Sequence, residues 1–473
     1  MKKLFLALIF LAIPFALQAQ KHYAISPENY KLTISVDYKE KKLTGICELT
    51  LTNNSNQSVD SISFLLYRLM KVTDVTDSNN EVIPYTQHVT EFDDFGKLQV
   101  NQILVYKPLH PKESITIKLS YNGYLLGYAE TGMSYIKDRI SPLFTFIRFD
   151  AYAYPYPCLP RLSVLRLSTS AKFDYSLTVN VPDNLVAVCG GEFAAHTENN
   201  GVATYKYISK QPAWRMDIAI ADYKKIESNW INVFYYGNEE AARRITDKGD
   251  DCIKLYKQWW GDLQAYSGLT VVETEEGSGG QTDETTILLP SEAFNKDNGF
   301  EYLYHELSHL WNVPISESQG MSPRWEEGLA SFCQVLVAEK LGDKSEGYVK
   351  KHTDAYINWF FDRVESDERL KNISLIDYGN RNMTDFSYTQ AMIMFSVLYY
   401  WLGDENFNNL IGGFYKNYYK TGASTRTFTE YCIKHGKDKR LEGFFEEWIY
   451  TTRYIKHLSP DATVDKIVAS YKK

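Results

Sequence analysis

The run His305-Glu306-Leu307-Ser308-His309 sets two imidazoles four positions apart, with a carboxylate beside the first. On an α-helix, residues i and i+4 share one face, about 6 Å apart along the axis, so both rings can reach one metal ion. The glutamate between them then points at water held next to that ion and can take its proton. The competing reading is a surface helix with two histidines by accident. Three features of the neighbouring sequence weigh against it. Phe300, Leu303, Tyr304, Leu307, Leu310 and Trp311 recur at helical spacing, so one side of the segment is core. Pro314 then stops the pattern. Ser322-Pro323 reads as the N-cap and first residue of a second helix, with Glu326 and Glu327 in its first turn.

That second helix is expected to run through Leu329, Ala330, Phe332, Val335 and Leu336 to Gly342. A helical hairpin of this length can return Glu327 to the two histidines. Two imidazoles and a carboxylate leave the fourth tetrahedral position of a zinc ion open to water, as catalytic sites require. The predicted cofactor is therefore one Zn²⁺, held by His305, His309 and Glu327, with Glu306 as general base in the manner of metal-assisted peptide hydrolysis.

With these pieces together, the sequence resembles the zinc aminopeptidases of the alanyl aminopeptidase and leukotriene hydrolase type, a branch of the gluzincins. The resemblance rests on His305-Glu306-Leu307-Ser308-His309-Leu310-Trp311 and on Trp325-Glu326-Glu327-Gly328-Leu329-Ala330. It puts Glu327 at the third ligand position. The loop before it is one residue shorter than the family's usual spacing, which a loop absorbs at little cost and which leaves Glu326 as the alternative ligand. Tyr388-Thr389-Gln390-Ala391-Met392 resembles the segment whose tyrosine donates to the oxyanion, a role that fits acyl-transfer chemistry. Later segments, Leu402 to Phe407, Phe428 and Phe444 to Trp448, are similar to the family's closing helices in order. The resemblance implies an N-terminal antiparallel β-sandwich or saddle followed by a thermolysin-like, mainly helical catalytic domain. It also implies a short form without the C-terminal helical domain of larger members.

Two positions break the pattern. Family exopeptidases hold the substrate's free amine with a glutamate on a strand before the zinc helix. Here that stretch is Gly279-Gly280-Gln281-Thr282-Asp283, and the glutamate position falls on Thr282, leaving Asp283 or Glu284 as shifted substitutes. The second anchor, in the N-terminal domain, falls on Arg148, ahead of Pro157-Cys158. A guanidinium is always charged and accepts no hydrogen bond, so it repels an ammonium. Either the alignment slips to Asp150 and Asp283, or Arg148 receives an acidic group, or Arg148 pairs with an acid such as Asp150. Gly279, Gly280, Thr282 and Arg148 are accordingly the candidate substrate-binding residues.

The elements that must position these residues divide near 227. From Tyr30 to about Lys225 the pattern is strand-like, as in Tyr30 to Val36, Glu48 to Thr52, Ser114 to Leu119 and Tyr175 to Val181. A strand at Ile231 to Tyr236 and a helix from Glu239 to Gly261 follow, and nearly everything after Phe300 reads as helix. The expected domains are a signal peptide over 1–19, a β domain over 20–226 and a zinc catalytic domain over 227–473.

Lys2 and Lys3 precede an apolar run from Leu4 to Leu17 that closes on Gln18-Ala19, which reads as an export signal cleaved after Ala19. The run is shorter than an ordinary membrane span, which leaves a retained signal anchor as the lesser alternative to cleavage, and Ala391 to Leu402 reads as a buried helix. The expected location is periplasmic or secreted. Acidic residues outnumber basic ones, 59 to 51, which argues against a nucleic-acid partner. The 6 cysteines are scattered, so buried free thiols are expected over a disulfide framework. Three functions compete on these residues: an aminopeptidase; a zinc endopeptidase or hydrolase of N-blocked or acidic substrates; and a binding protein that has kept the fold.

Overall fold

The structure, a computed structural model, describes residues 23–127, 136–161, 171–263, 268–283, 285–295, 299–318 and 320–472. The expected signal segment 1–19 and Glu284 lie outside the described residues. The chain divides into two compact units, Met1–Ala221 and Asp222–Lys473.

The first unit is built on strands. Its largest sheet has seven, in the order Glu192–Asn199, Val202–Ile208, Asp174–Pro182, Ile25–Asp37, Lys42–Asn53, Ser114–Gly123 and Met70–Asp77. The period-two alternation puts Tyr30, Leu32, Ile34, Leu49, Leu51, Ile117 and Leu119 in the core while Lys31 faces out. Neighbours in this sheet are antiparallel except Ile25–Asp37 against Asp174–Pro182, which run parallel. Smaller sheets of four and three strands complete the unit.

The second unit opens with a five-stranded mixed sheet, ordered Lys224–Glu227, Ile231–Tyr235, Leu269–Thr274, Thr286–Pro290 and Gln281–Thr282. Lys224–Glu227 pairs antiparallel with Ile231–Tyr235. It therefore belongs to this sheet, and the division falls after Ala221 instead of after 226. Helix Glu239–Trp260 is capped by Asn238, whose side chain accepts from the Ala241 N–H at 3.1 Å. The helices after Phe300 share one apolar core, at whose centre Ser387–Leu402 is buried on nearly every side.

Three helices matter for chemistry: the histidine helix Phe300–Ser308, the glutamate helix Trp325–Lys340 and the tyrosine helix Ser387–Leu402. The histidine helix ends at Ser308, and His309–Trp311 continues as a tighter 3₁₀ turn. The glutamate helix begins at Trp325, not at the expected Pro323. Arg324 has φ +57, a left-handed conformation that cannot extend a right-handed helix, so the helix starts after it. Gly328 is what lets the glutamate and tyrosine helices meet backbone to backbone. A Cβ there would lie 2.4 Å from the Ala391 Cβ and 2.7 Å from the Met392 nitrogen. All six cysteines are buried, and none forms a disulfide. Among the described residues, no helix is long and apolar enough to cross a membrane.

Candidate active site

The hairpin closes as its spacing suggested. Glu327 Oε2 lies 3.4 Å from His305 Nε2 and 3.3 Å from His309 Nε2. Two donors that each sit 2.0–2.1 Å from a tetrahedral zinc stand about 3.3 Å apart, so the three side chains fit that ion. Among the described residues this is the group of histidines, cysteines and carboxylates disposed to hold a metal. Burial pushes the Glu327 carboxyl up, but His309, hydrogen bonds from both imidazoles and Arg324 outweigh it and hold the group well below the ordinary carboxylate range. Burial alone would lower His309; Glu327 reverses this and raises it. Glu327 is thus held as a carboxylate, the form in which it can serve as a metal ligand. The alternative ligand, Glu326, points elsewhere. It lines a small cavity with Trp311, Leu329, Phe414 and Phe428, and its Oε2 is buried with no hydrogen-bond partner. Burial pushes its carboxyl up to about 7.

Each imidazole is fixed from behind. His305 Nδ1 donates to Gln334 Oε1 at 3.2 Å. His309 Nδ1 stands 2.6 Å from the Asn312 side-chain amide. The amide atom placed there is Nδ2; with Nε2 turned toward a metal, Nδ1 would carry the proton and the amide would turn its oxygen to it. Such partners set the tautomer and the ring angle of metal-binding histidines.

Glu306 is 7% exposed and packed under the glycine loop. Thr282, on the edge strand, donates its hydroxyl to Glu306 Oε2 at 2.7 Å. Gly279 takes φ +76 in the loop before that strand. Gly280 follows so close to Glu306 that a Cβ would fall 2.4 Å from Oε1. Asp283 is occupied otherwise: its Oδ1 accepts from the backbone N–H of Thr285 at 2.8 Å and of Thr286 at 2.6 Å. Tyr388 stands in the first turn of the tyrosine helix, its ring parallel to that of His305 with centroids 6.1 Å apart. Burial and the neighbouring Glu327 push its hydroxyl well above the ordinary phenol range, so it remains a hydrogen-bond donor.

Arg148 lies in the first unit and is spent there. Its Nε donates to Asp138 Oδ1 at 2.7 Å, its backbone N–H to Asp138 Oδ2 at 3.0 Å, and its side chain is 2% exposed. Its ion pair is with Asp138, while Asp150 pairs with Arg215 at 2.7 Å. A guanidinium so enclosed has no face left for a substrate, which corrects the expectation that it binds one. The sequence could not show this, because Asp138 sits ten positions away across an irregular segment.

Among solved structures, the chain is similar to an M1 zinc metallopeptidase of Deinococcus radiodurans, a mutant bound to a Tyr-Ser-Ala substrate. The TM-score is 0.61 at 17% identity, over 91% of this chain and 96% of that one. It is also similar to a two-domain M1 zinc metallopeptidase mutant bound to L-arginine, with TM-score 0.63 at 16% identity, over 90% of this chain and 96% of that one. The chain has the M1 zinc metallopeptidase fold. Among curated proteins it is 23% identical over 286 residues to Aminopeptidase M1-B of Oryza sativa subsp. japonica, a match over 54% of this chain and 31% of that protein. The chain thus aligns with about a third of the length of that relative. No protein-family model matches it.

Within this M1 fold, three residues near the metal position carried no sequence signal strong enough to single them out. Gln334 lies seven positions after Glu327 on the same helix, two turns on and therefore on the same face. Asn312 stands three after His309 in the turn that ends the histidine segment. The third is Arg324, whose guanidinium pairs with Glu327 Oε1. It precedes a helix in a conformation that sequence periodicity does not register.

Proposed function

We propose that this chain is an exported zinc-dependent peptidase of the aminopeptidase type. The observation that carries the reading is the convergence of His305, His309 and Glu327 on one point, with Glu306 beside it. Zinc held there supplies Lewis acidity, polarising a carbonyl and acidifying water to a pKa of about 7. Glu306 takes a proton from the attacking water and delivers it to the leaving nitrogen as the C–N bond breaks and the C–O bond forms. Tyr388 directs its hydroxyl proton at the developing oxyanion. Export rests on the segment 1–19 and the substrate class on the M1 fold.

A second reading, zinc endopeptidase or hydrolase of N-blocked substrates, is favoured by Thr282 and Asp283. The hydroxyl at 282 is engaged with Glu306, and the 283 carboxylate accepts from the backbone. The deciding experiment is cleavage of one peptide with a free and an acetylated N-terminus, with and without a chelator. The aminopeptidase reading expects the free amine to be cleaved at least about tenfold faster, and chelation to abolish both rates until zinc is returned. Equal rates on both peptides select the second reading, and chelator-insensitive cleavage rejects both.

The packing of Gly280 makes a further expectation. Gly280→Ala puts a methyl where the Glu306 carboxylate now sits, so the base must move. A displacement of about 1 Å costs up to about 10²-fold in rate. The expected result is a fall of that order in kcat with zinc content unchanged, read by metal analysis and steady-state kinetics on the same preparation.

A further inference from the structure

We propose that Arg324 is a specificity-determining residue that receives a carboxylate of the substrate, so that the site selects peptides with an acidic residue near the scissile bond. This rests on the peptidase reading above and names the substrate class within it.

Arg324 sits on the rim of the metal position, immediately before the glutamate helix. One arm of its guanidinium pairs with Glu327 Oε1, the oxygen turned away from the histidines. Its side chain remains 49% exposed. A guanidinium has five N–H donors in a planar fork. Here only Nη2 is used, and the remaining donors meet no acceptor among the described residues. The unused edge therefore suits a carboxylate, which guanidinium binds bidentately.

The chain also holds this residue in an unfavourable conformation. A non-glycine residue at φ +57 is uncommon, and such strain persists where the surroundings over-determine it. The Arg324 backbone N–H donates to Ser322 Oγ at 3.1 Å, and the Pro323 carbonyl accepts from Ser387 Oγ, so the turn is pinned on both sides. Charge complementarity completes the case. The acidic groups around the metal position are each engaged or enclosed: Glu327 by the imidazoles and Arg324, Glu306 by Thr282, Asp283 by backbone N–H groups, and Glu326 by burial. What this face still offers is positive, and it matches an anion better than an ammonium.

The test uses a peptide series, identical except that each position in turn carries Glu, Gln or Lys. Binding is measured to zinc-loaded Glu306→Gln protein, in which turnover is removed, and cleavage is measured with the wild type. The expected result is about tenfold tighter binding of Glu than of Gln at one position, in line with a partly exposed charge-assisted pair, with Lys weakest. Adding Arg324→Gln should bring the Glu-to-Gln ratio to about one, while Arg324→Lys keeps part of it. Metal analysis of each variant separates this from loss of zinc, and where Arg324→Gln loses zinc the Lys variant carries the comparison. A Glu-to-Gln ratio that survives these substitutions, or a preference for Gln or Lys at every position, overturns the assignment. Glu preference that depends on Arg324 in a wild-type protein that cleaves none of the peptides would sink the peptidase reading and leave the acid site standing.

Discussion

Glu306→Gln is expected to keep zinc at the wild-type level and to lower kcat by about 10²–10⁴-fold, the usual worth of a positioned general base. The argument rests on how little else the substitution disturbs. Glutamine is isosteric with glutamate, so the tight contact with Gly280 is preserved. Thr282 donates to Glu306 Oε2 and can donate equally to the amide oxygen of glutamine. The imidazoles keep their partners Gln334 and Asn312, so their rings stay aimed at the metal. What is lost is the ability to take a proton. Because the side chain is almost wholly buried, removing its charge should leave the melting temperature unchanged or slightly raised. Metal analysis, thermal unfolding and kinetics on one preparation check all three parts. A Glu306→Gln protein with undiminished kcat would contradict the assigned base.

Much of this site could be read from the chain because its parts are close in sequence or tied to regular elements. His305, Glu306 and His309 share one short segment, and helical geometry alone fixes their relation. Tyr388 sits in the first turn of a helix whose apolar character is plain from its residues. The choice between Glu326 and Glu327 was harder. They are adjacent in one helix, so helical periodicity does not discriminate; the family resemblance favours Glu327, and the distances to the two Nε2 atoms agree with it. The start of that helix was misplaced because Ser-Pro is a good opening pair, whereas the left-handed turn at Arg324 depends on contacts from Ser387, far along the chain. The same limit explains Arg148. Its type raised a question about substrate, and its burial against Asp138 answered it in terms of packing. The domain division moved for a related reason, since Lys224–Glu227 looks like another strand until its pairing partner is known.

Glu327→Ala should abolish zinc binding at stoichiometric metal, a loss of more than about 10²-fold in affinity, since even outer partners of ligands are worth 10–100-fold. Glu326→Gln should retain the metal. The contrast is informative because the two residues share a helix turn and differ in where their carboxylates go. Glu327 Oε2 stands equidistant, within 0.1 Å, from the two imidazole nitrogens at 3.4 and 3.3 Å. Removing it leaves two neutral ligands and no anionic one. It also frees Arg324, whose exposed half lets water replace the lost partner, so the fold should survive. Glu326 is instead a buried carboxyl pushed up to about 7, with one oxygen unpartnered in an apolar cavity. Burying a charge without a partner is costly, so an uncharged side chain of the same shape should fold at least as stably at pH above 7. Calorimetric zinc titration of the two variants, with thermal unfolding of each, decides the matter. Zinc retained by Glu327→Ala and lost by Glu326→Gln would transfer the third ligand to the neighbouring position and require the first turn of the glutamate helix to rotate.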